Sequence, residues 1–217
     1  MNFNRRRFIG ATIAAGATAG ASSVLFARSV PQPQPLVPPV AAAVKQAERP
    51  PLLQEALAAL DRHSSRIGFR DRIGLVDFSA HSAEHRFHLV DVESGRITQS
   101  WLVAHGKGSD PAHTGYLQEF SNRYGSNATS RGAYCMANPY YGKYGRSQRL
   151  LGLDPENDAA LERAIVLHGA DYVDESLIDA HGRIGRSYGC FSVKRDEVHH
   201  VMDLLGEGRL LYAGKPA

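Results

Sequence analysis

Cysteine is scarce in this chain: 217 residues hold only Cys135 and Cys190, with one tryptophan and three methionines. Two thiols make no disulfide framework, and they supply no paired cysteine set for structural zinc. The chain also lacks a basic stripe interleaved with aromatics. Its 25 Lys and Arg against 22 Asp and Glu leave a formal charge of +3, part of it in Arg5, Arg6, Arg7 and Arg28, so nucleic-acid binding has no support. No internal repeat is present. His81, His85 and His88 lie close together, but strand alternation through Arg86–Val92 turns His85 away from His88. No further ligand stands at zinc spacing, so neither metal nor cofactor is expected. A 43% hydrophobic and 22% charged composition is that of a globular protein, long enough for a leader and one domain.

The chain divides by composition. Asn4-Arg5-Arg6-Arg7-Phe8-Ile9-Gly10 resembles a twin-arginine export motif, followed by the weakly apolar stretch Ala11 to Phe26. Residues 1–28 are read as this leader, which places the protein in the periplasm or cell envelope. An uncleaved leader would tether it to the membrane. Residues 29–51 read as a linker, because Pro31, Pro33, Pro35, Pro38 and Pro39 favour extended chain. Residues 52–217 are read as one folded domain, expected as a monomer.

Apolar positions Leu53, Ala56, Leu57 and Leu60 recur at helical spacing and predict a helix over 52–63. Short β-rich runs at 74–78, 86–92 and 99–104 are separated by turn residues such as Glu93-Ser94-Gly95-Arg96. Asp154 as N-cap and Pro155 in the first turn predict a helix over 154–164, and 194–205 predicts another. A strand over 209–212 follows. Many strands and few helices indicate a mainly β sandwich or partly closed barrel.

The chemistry concentrates near the C-terminal end. In Ser187-Tyr188-Gly189-Cys190 a glycine permits a tight turn before a thiol, and successive N–H groups can converge on a developing oxyanion. The nucleophile is the thiolate, so a base is required. His168-Gly169 ends the apolar run Ile165-Val166-Leu167, which marks a rigidly held strand-end histidine. Such a neighbour is expected to pull the Cys190 thiol down and make it the faster-labelled cysteine. His105-Gly106-Lys107-Gly108-Ser109 reads either as a strand-ending turn or as a groove wall. Cys135 is a core thiol. Tyr134, Tyr140, Tyr141 and Tyr144, with Asn138 and Pro139, form an aromatic loop cluster that either packs or lines a groove.

With His168-Gly169 upstream, Ser187-Tyr188-Gly189-Cys190 resembles the signature of the L,D-transpeptidase catalytic domain of the YkuD type. The likeness runs through Leu75–Lys194 and includes Tyr141-Gly142-Lys143-Tyr144-Gly145 and Arg149-Leu150-Leu151-Gly152-Leu153. Two departures stand out: Tyr188 occupies a place that is often histidine, and Phe191-Ser192 replaces the Arg or Asn common after the cysteine. The resemblance implies a cysteine acyltransferase on peptidoglycan stem peptides. Cys190 would be the nucleophile, His168 the base, Ser187 part of the catalytic turn, and the N–H groups of Gly189 and Cys190, with Tyr188, the oxyanion hole. His105, Gly169, Tyr141 and Ser192 are the candidate substrate contacts. It further implies a backbone carbonyl, near Gly169 or Ser187, on the second nitrogen of His168. An L,D-carboxypeptidase or other envelope thiol hydrolase shares the dyad, and a non-catalytic wall-binding module would not need it.

Overall fold

The computed structural model describes residues 49–216. The leader and nearly all of the linker therefore lie outside the described residues. The elements are α1 (Leu53–Arg62), β1 (Arg72–Asp77), β2 (Phe87–Asp91), β3 (Arg96–Trp101), β4 (Gly132–Gly142), β5 (Gly145–Gly152), β6 (Val166–Ala170), α2 (Glu175–His181), β7 (Phe191–Lys194), α3 (Val198–Leu205) and β8 (Leu210–Gly214). The eight strands form one sheet in the order β3-β2-β1-β8-β4-β5-β6-β7. It is mainly antiparallel, with β1–β8 and β6–β7 parallel. The sheet does not close. The segment after β3 nevertheless bridges toward the opposite end, pairing Ala104 with Ser192 and Gly106 with Ser187.

Both faces of the central strands are covered. Along β8, Leu210 and Tyr212 join the core under α1, while Leu211 and Ala213 join the core under α3. That is the period-2 alternation of a strand between two apolar layers. α1 buries Leu53, Ala56, Ala59 and Leu60, and α3 buries Val198, Val201, Met202 and Leu205. Cys135 sits in the α1-side core, where burial pushes its thiol up.

Three local expectations change. The segment 154–164 is no α-helix and holds only a 3-10 turn at Asp158–Ala160. Its polar side chains are committed to β4: Asp154 Oδ2 accepts the Ala133 N–H at 2.7 Å, and Asn157 Nδ2 donates to the Ala133 carbonyl at 2.8 Å. The third strand ends at Trp101 rather than Ala104, because the chain there leaves β2 for the β7 end. The aromatic cluster is no loop but a long hairpin. β4 and β5 pair through Gly142 and Gly145 and absorb Ala137-Asn138 at a register shift between Met136 and Pro139.

Candidate active site

The parallel pairing of β6 with β7 builds the site. Leu167 stands beside Phe191 and His168 beside Ser192, and Cys190 is the residue immediately before β7. Phe191 and Val193 point into the core, so Ser192 faces the other way. The turn before the thiol requires glycine. Gly189 has φ +118°, and a Cβ there would stand 2.7 Å from Ile165 Cδ1 and 2.8 Å from the Ala128 carbonyl oxygen. Ser187 clamps the turn from within, its Oγ accepting the Gly189 N–H at 3.1 Å and donating to the Cys190 carbonyl at 2.7 Å. The Gly189 N–H is thus committed inside the turn, which leaves Tyr188 and Cys190 as its candidate oxyanion donors.

Neighbouring segments hold this turn from outside. Ser187 N–H donates to the His105 carbonyl and Lys107 N–H to the Ser187 carbonyl, each at 2.9 Å. Thr129 Oγ1 accepts the Gly106 N–H at 2.9 Å and donates to the Gly189 carbonyl at 3.2 Å. Arg163 donates to the carbonyls of Ser121 and Ala128 at 2.8 and 2.5 Å, fixing the strap that lies against Gly189.

His168 is buried, and its ring is fixed on three sides. Nδ1–H donates to the Gly169 carbonyl at 3.0 Å, which sets the tautomer, because a carbonyl can only accept. Nε2 lies 3.0 Å from Ser192 Oγ, which in turn lies 2.8 Å from the Tyr172 hydroxyl. Tyr144, from the β4–β5 turn, stacks on the imidazole with centroids 4.2 Å apart. Burial draws the His168 pKa down, against the Gly169 carbonyl, and the charges of Arg195 and Lys143 draw it further. The half-buried Cys190 lies 3.5 Å from the Ala164 carbonyl through Sγ. Burial pushes its thiol up, opposed by the Val166 backbone and by Arg163 and Lys143. Both shifts favour the neutral forms, thiol and imidazole, over a thiolate–imidazolium pair. The lowered thiol pKa expected from the sequence is not found, because desolvation outweighs the nearby cations and His168 contributes no charge.

The other sequence-selected residues separate. His105 is 1% exposed, so its side chain forms no groove wall. Arg86 donates to its Nδ1 at 2.7 Å, and its Nε2 stands 3.3 Å from Asp110 Oδ2. Both of its nitrogens are committed beneath the cysteine turn. Ser192 is fully buried against His168 Nε2 rather than on an open surface, and Gly169 acts through its carbonyl. Tyr141 and Tyr188 are exposed, the latter under Lys107 Nζ, which sits 4.6 Å from its ring centroid. Sequence reasoning missed Thr129, Arg163 and Tyr172, whose roles depend on partners 20 or more positions away. Tyr144 was visible only as one member of an aromatic run. Among the described residues no group of three His, Cys, Asp or Glu side chains could hold a metal.

Comparison with known proteins follows the same line. The L,D-transpeptidase catalytic domain matches residues 45–213. No curated protein matches the sequence. Among solved structures, an L,D-transpeptidase from Mycobacterium smegmatis is 13% identical with a TM-score of 0.40, over 66% of this chain and 58% of that one. One from Xylanimonas cellulosilytica is 17% identical with a TM-score of 0.41, over 74% and 69%. One from Mycobacterium tuberculosis is 14% identical with a TM-score of 0.38, over 67% and 58%. This chain thus spans less than two thirds of the mycobacterial chains, and the assignment rests on the domain match. By that match over most of its length, the chain belongs to the L,D-transpeptidase catalytic domain family.

Proposed function

We propose that this protein is an exported cysteine acyltransferase that acts on peptidoglycan stem peptides. The observation that carries the reading is the glycine-dependent turn that presents Cys190 beside the strand bearing His168. Cys190 Sγ attacks the acyl carbonyl of a tetrapeptide donor, and its proton passes to His168. The C–N bond to the terminal D-alanine breaks as a thioester forms, and that proton leaves with the amine. The N–H groups of Tyr188 and Cys190 face the developing oxyanion, where one such donor is worth about 3 kcal/mol. An acceptor amine then gives a cross-link, and water gives trimming. The exposed rings of Tyr141 and Tyr188 supply rigid amphipathic surface for the peptide.

The envelope location rests on Arg5-Arg6-Arg7 and the weakly apolar stretch behind it. A muropeptide assay with wild type and Cys190→Ala tests the reaction. Wild type alone should convert tetrapeptide donors into dimers or tripeptides. Equal conversion by both proteins would refute the nucleophile, and binding without conversion by both would mark a wall-binding module.

A further inference from the structure

The base of this dyad has one lone pair, and the structure shows where it points. Nδ1–H is committed to the Gly169 carbonyl, so the only free lone pair of neutral His168 is on Nε2. The group 3.0 Å from that nitrogen is Ser192 Oγ, not Cys190 Sγ. A serine hydroxyl has one proton and two lone pairs. Its proton must go to Nε2, which cannot donate in this tautomer. The Tyr172 hydroxyl at 2.8 Å must then be the donor to Ser192. Burial pushes the Tyr172 phenol up to about 12, so it stays protonated. The direction of the chain is fixed throughout: Tyr172 O–H to Ser192 Oγ–H to His168 Nε2.

One acceptor position on Ser192 Oγ remains, and the strand geometry assigns its occupant. Cys190 directly precedes β7 and Ser192 lies two positions on, so carrying the strand alternation back by one residue sets the two side chains on one side of the sheet. His168 stands beside Ser192 in register, and the Cys190 sulfur rests 3.5 Å from the Ala164 carbonyl, in the segment that leads into β6. Resting on the reading of Cys190 as nucleophile and His168 as base, we propose that Ser192 is the proton relay between them, with Tyr172 as its positioning residue. As Sγ turns from Ala164 toward the donor carbonyl, its proton passes to Ser192 Oγ while the Ser192 proton passes to Nε2. The step leaves a thiolate, an intact serine and an imidazolium, so charge and protons balance. The same relay runs backward when the imidazolium protonates the leaving amine. Phe191-Ser192 thus gives this chain a buried hydroxyl where the family commonly has Arg or Asn.

The test measures single-turnover acylation of full-length protein by a synthetic tetrapeptide donor, read by mass spectrometry of the Cys190 peptide. Nitrogen NMR of 15N-histidine-labelled protein runs beside it. Ser192→Ala should lose about a hundredfold in acylation rate, the size of a general acid–base contribution, with donor binding unchanged. Ser192→Thr, which keeps the hydroxyl, should recover most of that loss. Tyr172→Phe should fall about fivefold, the effect of one neutral hydrogen bond. In wild type the NMR should show His168 protonated on Nδ1 with Nε2 accepting a hydrogen bond, and Ser192→Ala should lose that bond. Acylation of Ser192→Ala at the wild-type rate, or an Nε2–H tautomer in wild type, overturns the relay. In either event, continued acylation of wild type and not of Cys190→Ala would leave the proposed function standing. Unreacted wild type would instead remove the function, and the relay with it.

Discussion

Tyr144 lies flat on His168, with ring centroids 4.2 Å apart and planes inclined by 15°. The β4–β5 hairpin turn thereby becomes one wall of the proposed catalytic pair, although it is more than 20 residues from the histidine. Stacking blocks rotation of the imidazole out of its Gly169 and Ser192 hydrogen bonds. Tyr144→Ala should slow acylation about three- to tenfold, corresponding to the 0.5–1.5 kcal/mol of an aromatic pair, while Tyr144→Phe stays near wild type. Single-turnover rates of the two variants check this. Equal loss in both would show that the phenol hydroxyl, not the ring face, matters.

Gly189→Ala should damage both turn and nucleophile. Its Cβ would meet Ile165 and the Ala128 carbonyl, at a φ of +118° that L side chains rarely adopt. The strain should cost about 1–3 kcal/mol of stability and displace Cys190 enough to abolish acylation. Thermal unfolding and acylation of the variant together report the two effects.

Alkylation of Cys190 should keep accelerating beyond about pH 8.5, the ordinary thiol value, with no plateau near neutrality. The reason is that burial holds the Cys190 pKa above its usual value and His168 is neutral at rest. Cys135 is also pushed up, so selectivity between the two thiols must come from access: Cys190 is half-buried, whereas Cys135 is 7% exposed. Iodoacetamide labelling followed by peptide mapping should find Cys190 modified first. A labelling profile that saturates below pH 7 would show an ion-paired dyad instead.

Acid should destabilise the protein through His105 before the carboxylates titrate. Burial first, and the Arg86 charge next, hold His105 down to about 3 against an ordinary value of 6.5. The folded state resists a proton that the unfolded chain accepts. Stability is therefore complete above about 6.5 and declines as pH falls toward 3. His168, shifted the same way, adds to the decline below 6.5. Denaturant unfolding of His105→Asn between pH 7 and pH 4 should show a shallower pH slope than wild type. Parallel slopes would assign the acid sensitivity elsewhere.

Removing one member of the buried Arg86–His105–Asp110 group should be costly. Arg86 is fully buried and donates to Val103 and Ala80 carbonyls as well as to His105. Arg86→Ala leaves those acceptors without their donor and removes the positive charge near Asp110, at about 3–5 kcal/mol. Arg86→Ala should thus lower the unfolding midpoint sharply. An unchanged midpoint would show that water replaces the guanidinium.

The sequence by itself determined what is local. Alternation and spacing marked β1, β2, α1 and the apolar strand leading to His168, and a glycine before a thiol marked the turn at Cys190, because these depend on residues a few positions apart. The helix expected over 154–164 failed for the complementary reason. Asp154 reads as a helix N-cap until β4, some 20 positions upstream, takes its side chain and that of Asn157. Tertiary structure alone decided the rest: that His105 is a buried support held by Arg86 and Asp110, that His168 pairs in register with Ser192, that the Gly189 N–H is consumed by Ser187, and that Ser192 stands between His168 and Tyr172. Charge state followed the same division. Neither thiol nor imidazole pKa can be read from neighbours in the chain, because desolvation is set by what the fold packs around them.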